Sequence, residues 1–438
     1  MAALRPLVSH HDVTWVASAM TDEERTIAAA GPLVERTIDA EFRLRLVAHD
    51  PAAYRSFYDV IANPALWFVQ HDLWGLMRDP EADLLGPWHD GYVAVNAGFA
   101  RAVVEELEHT PDAAVLFQDY HLYVAPALVR KRRAAARLGH FVHIPWVGAD
   151  GWAVLPPAIA RSVHEGLLAC DSVGFHTERW RSAFVEASGA LLGRETEARA
   201  RSHANPVAVD AAELERAAAQ ATVLERERAL VGSRPEQLIV RVDRTDPAKN
   251  AVAGFAAFGR LLQRRPDLHG RVGMLALLDP SRQSIPEYVD YRHALEAEAA
   301  AVNAAYGTPT WAPIDVSIRD DFPSSVAAYK QYDVLLVNSV MDGLNLVAEE
   351  APLVNTRNGV LVLSRGTGAW EELGEWAIGV DPRDVEATSC ALEQALALPA
   401  ADRMARLAGI RERVLARDPS GWANAELAAL DARSTMRG

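Results

Sequence analysis

Cysteine is scarce in this chain of 438 residues, which contains only Cys170 and Cys390. Two distant cysteines do not make a disulfide framework, so we expect a reducing, cytoplasmic environment. Long apolar runs are also missing: no stretch reaches the roughly 20 residues that a membrane span needs. The first residues lack the charged and apolar regions of a secretory signal. We therefore expect a soluble protein with no membrane partner.

Basic residues are fewer than acidic ones, 44 against 59, which gives a formal net charge of −15. Nucleic-acid-binding proteins usually carry a basic surplus on one face, so we expect no nucleic-acid partner. The sequence also lacks the GxxxxGK[ST] phosphate loop, the GxSxG nucleophile elbow and the paired CxxC or HExxH zinc patterns. His140 and His143 have no converging ligands, and we predict no metal site.

Short runs rich in Val, Leu and Ile alternate with amphipathic helical stretches along the chain. Such runs are typical of parallel strands buried on both faces, with helices as the crossovers. The runs are Val13–Ala17, Ala114–Phe117, Gly139–Ile144, Ser172–Phe175, Gln237–Val242, Arg271–Leu277, Asp333–Asn338 and Gly359–Ser364. The pattern predicts an α/β protein with two doubly wound, Rossmann-like domains that face a central cleft. Ligands of such sheets bind at the carboxyl ends of the strands.

The connector at residues 195–236 is rich in Ala, Glu and Arg, and we place the domain boundary in it, near residue 212. The predicted domains are residues 1–212 and 213–417. A last helix at about 418–438 has an amphipathic pattern that would cap either domain.

Arg244 and Lys249 follow a buried strand directly, with a proline turn between them. Two converging cations there suit a diphosphate, because arginine binds phosphate oxygens bidentately and lysine acts as a point charge. Asp243 and Asp246 lie close in sequence. A solvated, salt-bridged loop is therefore the alternative that the spacing leaves open.

Asp342-Gly343 follows the strand that ends at Asn338, and this pair predicts a turn before a helix. Backbone amides at the start of a helix bind anions or polar ligands. Glu350, two turns further on, would suit a ribose diol. A helix capped by the aspartate, with a tight glycine, is the structural alternative.

Other strand ends carry further candidates. Asp119 and His143 each follow a predicted strand, and a structural histidine is the alternative for His143. Arg282 also follows a strand and would bind a phosphate or pair with an acid. Trp88 belongs to an aromatic cluster that would stack on a sugar ring, although packing is the commoner role of such residues.

Taken together and in order, these motifs resemble the trehalose-6-phosphate synthase family, glycosyltransferase family 20, from about Trp15 to Trp422. The landmarks are Asn63…Leu66-Trp67, Trp88…Gly91-Tyr92…Asn96, Asp119-Tyr-His121, His143-Ile-Pro145, Gly174-Phe-His-Thr177, Arg244…Lys249, Pro280-Ser-Arg282, Asp342-Gly…Asn345-Leu-Val-Ala…Glu350 and Leu363-Ser364…Gly368-Ala369. The resemblance implies the GT-B fold, with an acceptor-binding domain at 1–212 and a donor-binding domain at 213–417. It also implies that the helix at about 418–438 crosses back onto the first domain.

The same resemblance implies transfer from a GDP- or UDP-linked sugar with retention of configuration and without a metal or other cofactor. The predicted catalytic residues are Asp119, His143, Arg244 and Lys249, with Arg244 and Lys249 on the donor diphosphate. The predicted donor-binding residues are Arg244, Lys249, Asp342, Gly343, Leu344, Asn345, Leu346 and Glu350. The predicted acceptor-binding residues are Asp72, Trp88, Asp119 and Arg282, with Arg282 on the acceptor phosphate.

Two departures from the family concern the acceptor. The family's N-terminal Ser-Asn-Arg strand end and its glycine-rich loop have no counterpart, because we expect this chain to begin near the following strand. Where the family usually has a His-Tyr pair, this chain has His71-Asp72. A carboxylate at this position disfavours glucose 6-phosphate as the acceptor and would suit an amino group better.

The segments Arg244–Asn250 and Glu350–Asn355 resemble the pseudoglycosyltransferase that makes validoxylamine 7′-phosphate. Three functions therefore stay open. The first is a retaining glycosyltransferase acting on a sugar or aminosugar, phosphorylated or not, in specialised metabolism such as antibiotic biosynthesis. The second is a pseudoglycosyltransferase that joins an activated cyclitol to an aminocyclitol phosphate through nitrogen. The third is a catalytically silent nucleotide-sugar-binding subunit. A homo-oligomer is compatible with each.

Overall fold

A computed structural model describes residues 11–36 and 41–434 of the chain. The chain divides into two compact units, residues 1–207 with 419–438, and residues 208–418. The predicted boundary near residue 212 lies just beyond this division, in the helix Ala211–Ala218. Within the described ranges, no helix combines the length and the apolar character needed to cross a bilayer.

The first unit contains two sheets. The larger is a four-stranded parallel sheet in the order β4-β5-β6-β7, and the smaller has the order β1-β3-β2, with β2 antiparallel. The strands are β1 Thr14–Ser18, β2 Leu33–Arg36, β3 Glu41–Val47, β4 Ala114–Gln118, β5 Arg137–Val142, β6 Ser172–Phe175 and β7 Ser202–Ala204. The α-helices are Asp22–Ala30, Pro51–Arg55, Trp67–Gln70, Leu85–Pro87, Ala94–His109, Ala125–Arg132, Ala149–Trp152, Pro157–Leu168, Glu178–Leu192, Glu195–Arg201 and Pro419–Ser434. Ser56–Leu66 and Trp88–Val93 are π-helical, and Trp74–Leu76 and Tyr120–Leu122 are 3₁₀ turns.

The last helix, Pro419–Ser434, belongs to the first unit and makes specific polar contacts with β7 and the residue after it. The Trp422 indole N–H donates to the Asn205 carbonyl oxygen at 3.1 Å. The Glu426 carboxylate accepts from His203 Nε2 at 2.8 Å and from Asn205 Nδ2 at 2.7 Å. Residues 435–438 of the predicted helix lie outside the described residues.

The second unit is built on a six-stranded parallel sheet in the order β10-β9-β8-β11-β12-β13. The strands are β8 Gln237–Arg244, β9 Val272–Asp279, β10 Ile314–Ile318, β11 Val334–Val337, β12 Val360–Ser364 and β13 Ile378–Val380. The α-helices are Ala211–Ala218, Ala221–Ser233, Ala251–Arg264, Pro286–Tyr306, Phe322–Gln331, Val347–Val354, Ala369–Leu373, Val385–Ala397 and Ala400–Leu415, with 3₁₀ turns at Pro247–Lys249 and Pro266–Leu268.

The strand order of the second unit predicts where a ligand binds. The chain runs outward from β8 through β9 to β10, then returns to β11 on the other side of β8 and runs outward again. The loops after β8 and β11 therefore leave the sheet in opposite directions and open a crevice at the carboxyl ends, where such sheets bind ligands. Below it, Phe255, Phe258 and Leu262 of the helix Ala251–Arg264 share a buried core cluster with side chains of three strands. These are Ile239 of β8, Val334 and Leu336 of β11, and Val360 and Val362 of β12.

Candidate active site

The loops after β8 and β11 are joined to each other. The Val340 amide donates to the Ala248 carbonyl oxygen at 2.8 Å. Asn250 and Asn338 each donate a side-chain N–H to the other's backbone carbonyl oxygen at 3.1 Å. Asn250 has a φ of 59°, a left-handed conformation that asparagine tolerates better than most residues. The two loops that the sequence singled out are thus one structural element.

Lys249 and Asp342 meet at this junction and form an ion pair. Each side chain is 14% exposed, so the pair is largely shielded from water but still accessible to a ligand. The same carboxylate oxygen accepts from Asn345 Nδ2 at 2.9 Å and from the Ser339 hydroxyl at 3.3 Å. The structure therefore brings together Lys249, Asp342 and Asn345 of the predicted donor-binding set.

Arg244 and Arg282 lie beside one shared carboxylate, that of the buried Asp246. Arg282 Nη1 is 3.0 Å from Asp246 Oδ2, and Arg282 also hydrogen-bonds the Tyr288 hydroxyl. Arg244 Nη2 is 3.9 Å from the same oxygen. The Arg282 side chain is 7% exposed and that of Arg244 is 43% exposed. Arg244 is therefore the cation directed towards solvent, whereas Arg282 is held inside the loop. Arg282 lies in the unit that carries the predicted donor residues, and its proposed contact with an acceptor phosphate stays a prediction.

The backbone of residues 342–346 is fixed against the loop after β12. The Asp342 amide donates to the Gly366 carbonyl oxygen at 3.2 Å, and the Gly368 amide returns a bond to the Asp342 carbonyl oxygen at 3.0 Å. Gly343, Leu344 and Asn345 are buried, and Leu346 is partly exposed. The start of the loop is thus fixed by two main-chain bonds at Asp342.

The helix that follows begins at Val347, later than the sequence suggested. Leu346 precedes the helix directly and makes no side-chain cap bond, and the Asn345 side-chain oxygen accepts from the Ala348 amide at 3.2 Å. The interpretation of Asp342 as the helix cap is therefore wrong, because this carboxylate faces Lys249 instead. The amides of Gly343 to Leu346 precede the helix.

Glu350 lies in the first turn of the helix Val347–Val354 and is partly buried. Burial raises the pKa of Glu350 to about 7. A carboxyl group of this kind is both a donor and an acceptor near neutral pH, which suits a diol. Its predicted contact with a ribose stays a prediction.

The neighbouring Glu349 is fully buried and pairs with Arg417 at 3.1 Å from Nη2 to Oε1. Arg417 Nη2 also pairs with Glu372, at 2.5 Å. Burial raises the pKa of Glu349 to about 8 despite the attraction of Arg417. Glu349 therefore stays protonated in the folded chain at a pH where the unfolded chain has lost that proton.

Replacing Glu349 by glutamine is expected to flatten the dependence of stability on pH. Between the ordinary pKa of 4.5 and about 8, the folded state holds a proton that the unfolded state releases. The free energy of unfolding of the wild type then falls as the pH rises, by at most ~1.4 kcal/mol per pH unit. Urea unfolding should show similar stabilities near pH 5 and a more stable Glu349→Gln variant at pH 8. The exposed Glu375→Gln variant is the control, and parallel pH profiles for both variants would contradict the assignment.

Asp119 and His143 follow the adjacent strands β4 and β5 of the first unit. The Asp119 Oδ1 accepts from the His143 amide at 3.2 Å, and the Asp119 carbonyl oxygen accepts from His140 Nε2 at 3.1 Å. Asp119 has a φ of 62°, which is uncommon for a residue with a side chain and recurs at functional sites. The structure therefore brings these two predicted catalytic residues together.

The His143 ring is held in one orientation by Gln118. Its Nε2 donates to Gln118 Oε1 at 2.8 Å, which leaves Nδ1 as the acceptor of the neutral ring. Burial lowers the pKa of His143 to about 4. The imidazole is therefore neutral at physiological pH and can accept a hydrogen bond from a hydroxyl group, but it cannot serve as an acid.

The remaining acceptor candidates differ in accessibility. Asp72 is exposed, with a left-handed φ of 56°, directly after His71, whose ring stacks on Trp67 at 3.9 Å between centroids. Trp88 is 2% exposed and stacks on Tyr92 at 4.6 Å. Packing accounts for the position of Trp88, and its contact with an acceptor stays a prediction.

Four residues that support these sites were not among the predicted site residues. Arg241 and Asn338 support the donor loops, and Asn63 and Asn96 support the segment after β4. The Asn63 side-chain oxygen accepts from the Tyr120 hydroxyl at 2.7 Å, and Asn96 Nδ2 donates to the His121 carbonyl oxygen at 3.0 Å. Their polar character inside apolar stretches was the available signal.

Known proteins are similar to this chain over nearly its whole length. The sequence model of glycosyltransferase family 20 matches residues 1–432. The chain belongs to glycosyltransferase family 20. It is 31% identical to the validamine 7-phosphate valienyltransferase of Streptomyces hygroscopicus subsp. jinggangensis, over 97% of this chain and 87% of that protein.

Solved structures of family 20 enzymes share the fold. The UDP-forming α,α-trehalose-phosphate synthase of Burkholderia vietnamiensis matches with a TM-score of 0.86 at 28% identity, over 99% of this chain and 95% of that one. The corresponding enzyme of Burkholderia xenovorans, in complex with glucose-6-phosphate, matches with a TM-score of 0.80 at 26% identity, over 95% and 99% of the two chains. The predicted α/β, GT-B fold is confirmed.

Among the residues that the structure describes, no group of three or more His, Cys, Asp or Glu side chains is placed to hold a metal ion.

Proposed function

We propose that this family 20 enzyme is a retaining, metal-independent transferase that moves a sugar from a GDP- or UDP-linked donor to a sugar or aminosugar acceptor, phosphorylated or not, in specialised metabolism. The observation that supports it best is the group of Lys249, Asp342 and Asn345 at the crevice between β8 and β11, together with the exposed Arg244 at the carboxyl end of β8. We assign this group to the donor, with Glu350 on the ribose.

The proposed reaction needs no nucleophile from the protein. The bond between donor C1 and the diphosphate oxygen breaks, and C1 becomes oxocarbenium-like. Arg244 and Lys249 stabilise the negative charge that develops on the leaving diphosphate, which is electrostatic preorganisation. The acceptor then bonds to C1 on the face that the diphosphate leaves, and its proton passes to the departing phosphate oxygen.

We assign Asp119 and His143 to the hydroxyl groups of the transferring and accepting molecules. The neutral His143 ring offers Nδ1 as an acceptor, because Nε2 is engaged by Gln118. The Asp119 carboxylate is already aligned by the His143 amide. Arg282 and Trp88 remain the candidates for the acceptor phosphate and its surroundings.

A second candidate function is C–N bond formation between a nucleotide-activated cyclitol and an aminocyclitol phosphate. The exposed carboxylate of Asp72 favours it, because an anion there attracts a protonated amine. The similarity to a protein named as a valienyltransferase, over 97% of this chain, also supports it. The protonated amine would release one proton to solvent and bond to C1 through its lone pair as the C1–oxygen bond breaks. The nitrogen would then pass a second proton to the departing phosphate oxygen.

A mass-spectrometric screen distinguishes these functions. GDP-, UDP- and ADP-sugars, together with a nucleotide-activated cyclitol, would be incubated with neutral, phosphorylated and amino acceptors. A C–O-linked product from a nucleotide sugar supports the first candidate, and a C–N-linked product supports the second. Binding of nucleoside diphosphate without turnover of any pair would overturn both.

Replacing Asp72 by asparagine is expected to lower kcat/KM for an amino acceptor about tenfold, or ~1.4 kcal/mol, because one charge-assisted hydrogen bond becomes neutral. For the matching hydroxyl acceptor the change should be less than about twofold. Steady-state kinetics on the acceptor pair measure this difference. The exposed Asp79→Asn variant is the control, and equal losses with both acceptors would remove Asp72 from acceptor selection.

A further inference from the structure

Arg241 lies in the middle of strand β8, in register with Ala276 of β9, and its side chain has no exposed surface. A guanidinium group inside a sheet is costly to bury unless charged and polar partners surround it. Arg241 interrupts the apolar stretch Leu238–Val242 of this strand, so its burial calls for a specific role.

The partners of Arg241 come from both donor loops. Its Nη2 donates to Asp243 Oδ2 at 2.7 Å and to the backbone carbonyl oxygen of Lys249 at 2.8 Å. Its Nη1 donates to Asn338 Oδ1 at 3.1 Å. One planar group thus fixes the backbone of Lys249 and the first residue of the loop that carries Asp342.

Gly254, on the neighbouring helix, leaves space for the Arg241 guanidinium. A Cβ atom at Gly254 would lie 2.5 Å from Arg241 Nη1 and 3.3 Å from Asn338 Oδ1. The helix Ala251–Arg264 therefore approaches the guanidinium as closely as it does only because residue 254 has no side chain. Asn338 in turn exchanges bonds with Asn250, the residue after Lys249.

We propose that Arg241 is a positioning residue that sets the location of Lys249 relative to Asp342, and through it the stabilisation of the leaving diphosphate. This inference rests on the proposed function for its catalytic consequence. Arg241 itself touches no substrate, since it is buried beneath the loops. A displacement of about 1 Å at a catalytic group costs as much as 10²-fold in rate, so the position of the Lys249 backbone is expected to affect the chemical step.

The first test follows the Lys249 ammonium without using activity. The wild-type chain has three lysines, Lys131, Lys249 and Lys330, and Arg241→Lys adds a fourth. Amine acylation by an N-hydroxysuccinimide ester is therefore assigned to each lysine by fragment mass spectrometry. In Arg241→Lys, Lys249 should react at least about threefold faster than in the wild type, because its backbone anchor is lost and its pairing with Asp342 loosens. The exposed Lys131 should react at the same rate in both and serves as the internal reference.

The second test uses catalysis and binding together. Arg241→Lys should lower kcat at least about tenfold, while calorimetry with UDP or GDP still shows one site per chain. That stoichiometry excludes a loss of folded protein as the cause. Gly254→Ala keeps every polar partner but displaces the guanidinium, so it should show the same pattern. It becomes the test variant if Arg241→Lys fails to fold. The exposed Arg260→Lys, on the same helix, is the matched control.

The outcomes separate the two proposals. Unchanged Lys249 reactivity and unchanged kcat in both Arg241→Lys and Gly254→Ala would overturn the role of Arg241. Failure of UDP and GDP to slow the acylation of Lys249 in the wild type would instead count against the proposed donor site. Faster acylation in Arg241→Lys would support the positioning role even then.

Discussion

Arg244→Ala is expected to lower kcat by about 10²–10³-fold, or ~3–4 kcal/mol, with a smaller change in the binding of nucleoside diphosphate. Arg244 is the exposed cation at the carboxyl end of β8, with its Nη2 3.9 Å from Asp246 Oδ2. Its charge counts most when the diphosphate leaves, because negative charge grows on that group in the transition state. Single-turnover rates and calorimetric dissociation constants measure the two effects separately.

Two comparisons sharpen this result. Arg244→Lys keeps the charge but loses the planar pair of donors, so it should recover only part of the rate. Arg271→Ala removes another exposed arginine, paired with Glu236 at 2.8 Å, just before β9 in the same unit. It should leave kcat unchanged. Near-normal turnover of Arg244→Ala would remove Arg244 from the reaction centre.

The parallel sheets could be predicted from sequence because their strands are apolar on both faces. Each of the eight predicted runs overlaps an observed strand, as with Ala114–Phe117 and the observed β4. The missed strands, β2, β3, β7, β10 and β13, lack this signal. Charged residues interrupt β3, as in Arg43 and Arg45, and β7 and β13 have only three residues each.

The candidate site was predictable where it depends on strand ends and less so where it depends on packing. Lys249 and Asp342 follow β8 and β11, neighbours in the sheet, so their meeting follows from the strand order. Arg241 was not predicted as a site residue, since a single arginine in an apolar run does not reveal that it is buried. Exposure likewise cannot be read from sequence, and only the structure shows that Arg244 is exposed whereas Arg282 is held inside the loop.

Gly368→Ala is the second change with a large expected effect, because Gly368 supports the loop that carries Asp342. An added Cβ atom would collide with the Gly343 carbonyl oxygen and lie 3.0 Å from Leu344 Cα. Both atoms belong to the backbone, so they cannot move aside as a flexible side chain would. The loop must shift, and the bond from the Gly368 amide to the Asp342 carbonyl oxygen must stretch from its 3.0 Å.

This shift of the loop separates Asp342 from Lys249 and moves the backbone amides of the predicted donor-sugar site. We expect kcat/KM for the donor to fall about 10²-fold and the folded state to lose ~1–3 kcal/mol from overpacking. Gly232→Ala is the matched control, since no atom lies within 4 Å of a Cβ there. In the helix Ala221–Ser233 that change should preserve activity and leave stability equal or up to ~1 kcal/mol higher. Wild-type kcat/KM in Gly368→Ala would show that donor transfer does not require the loop in this position. Lost activity in a variant that still unfolds cooperatively would tie the reaction to the backbone of residues 342–346.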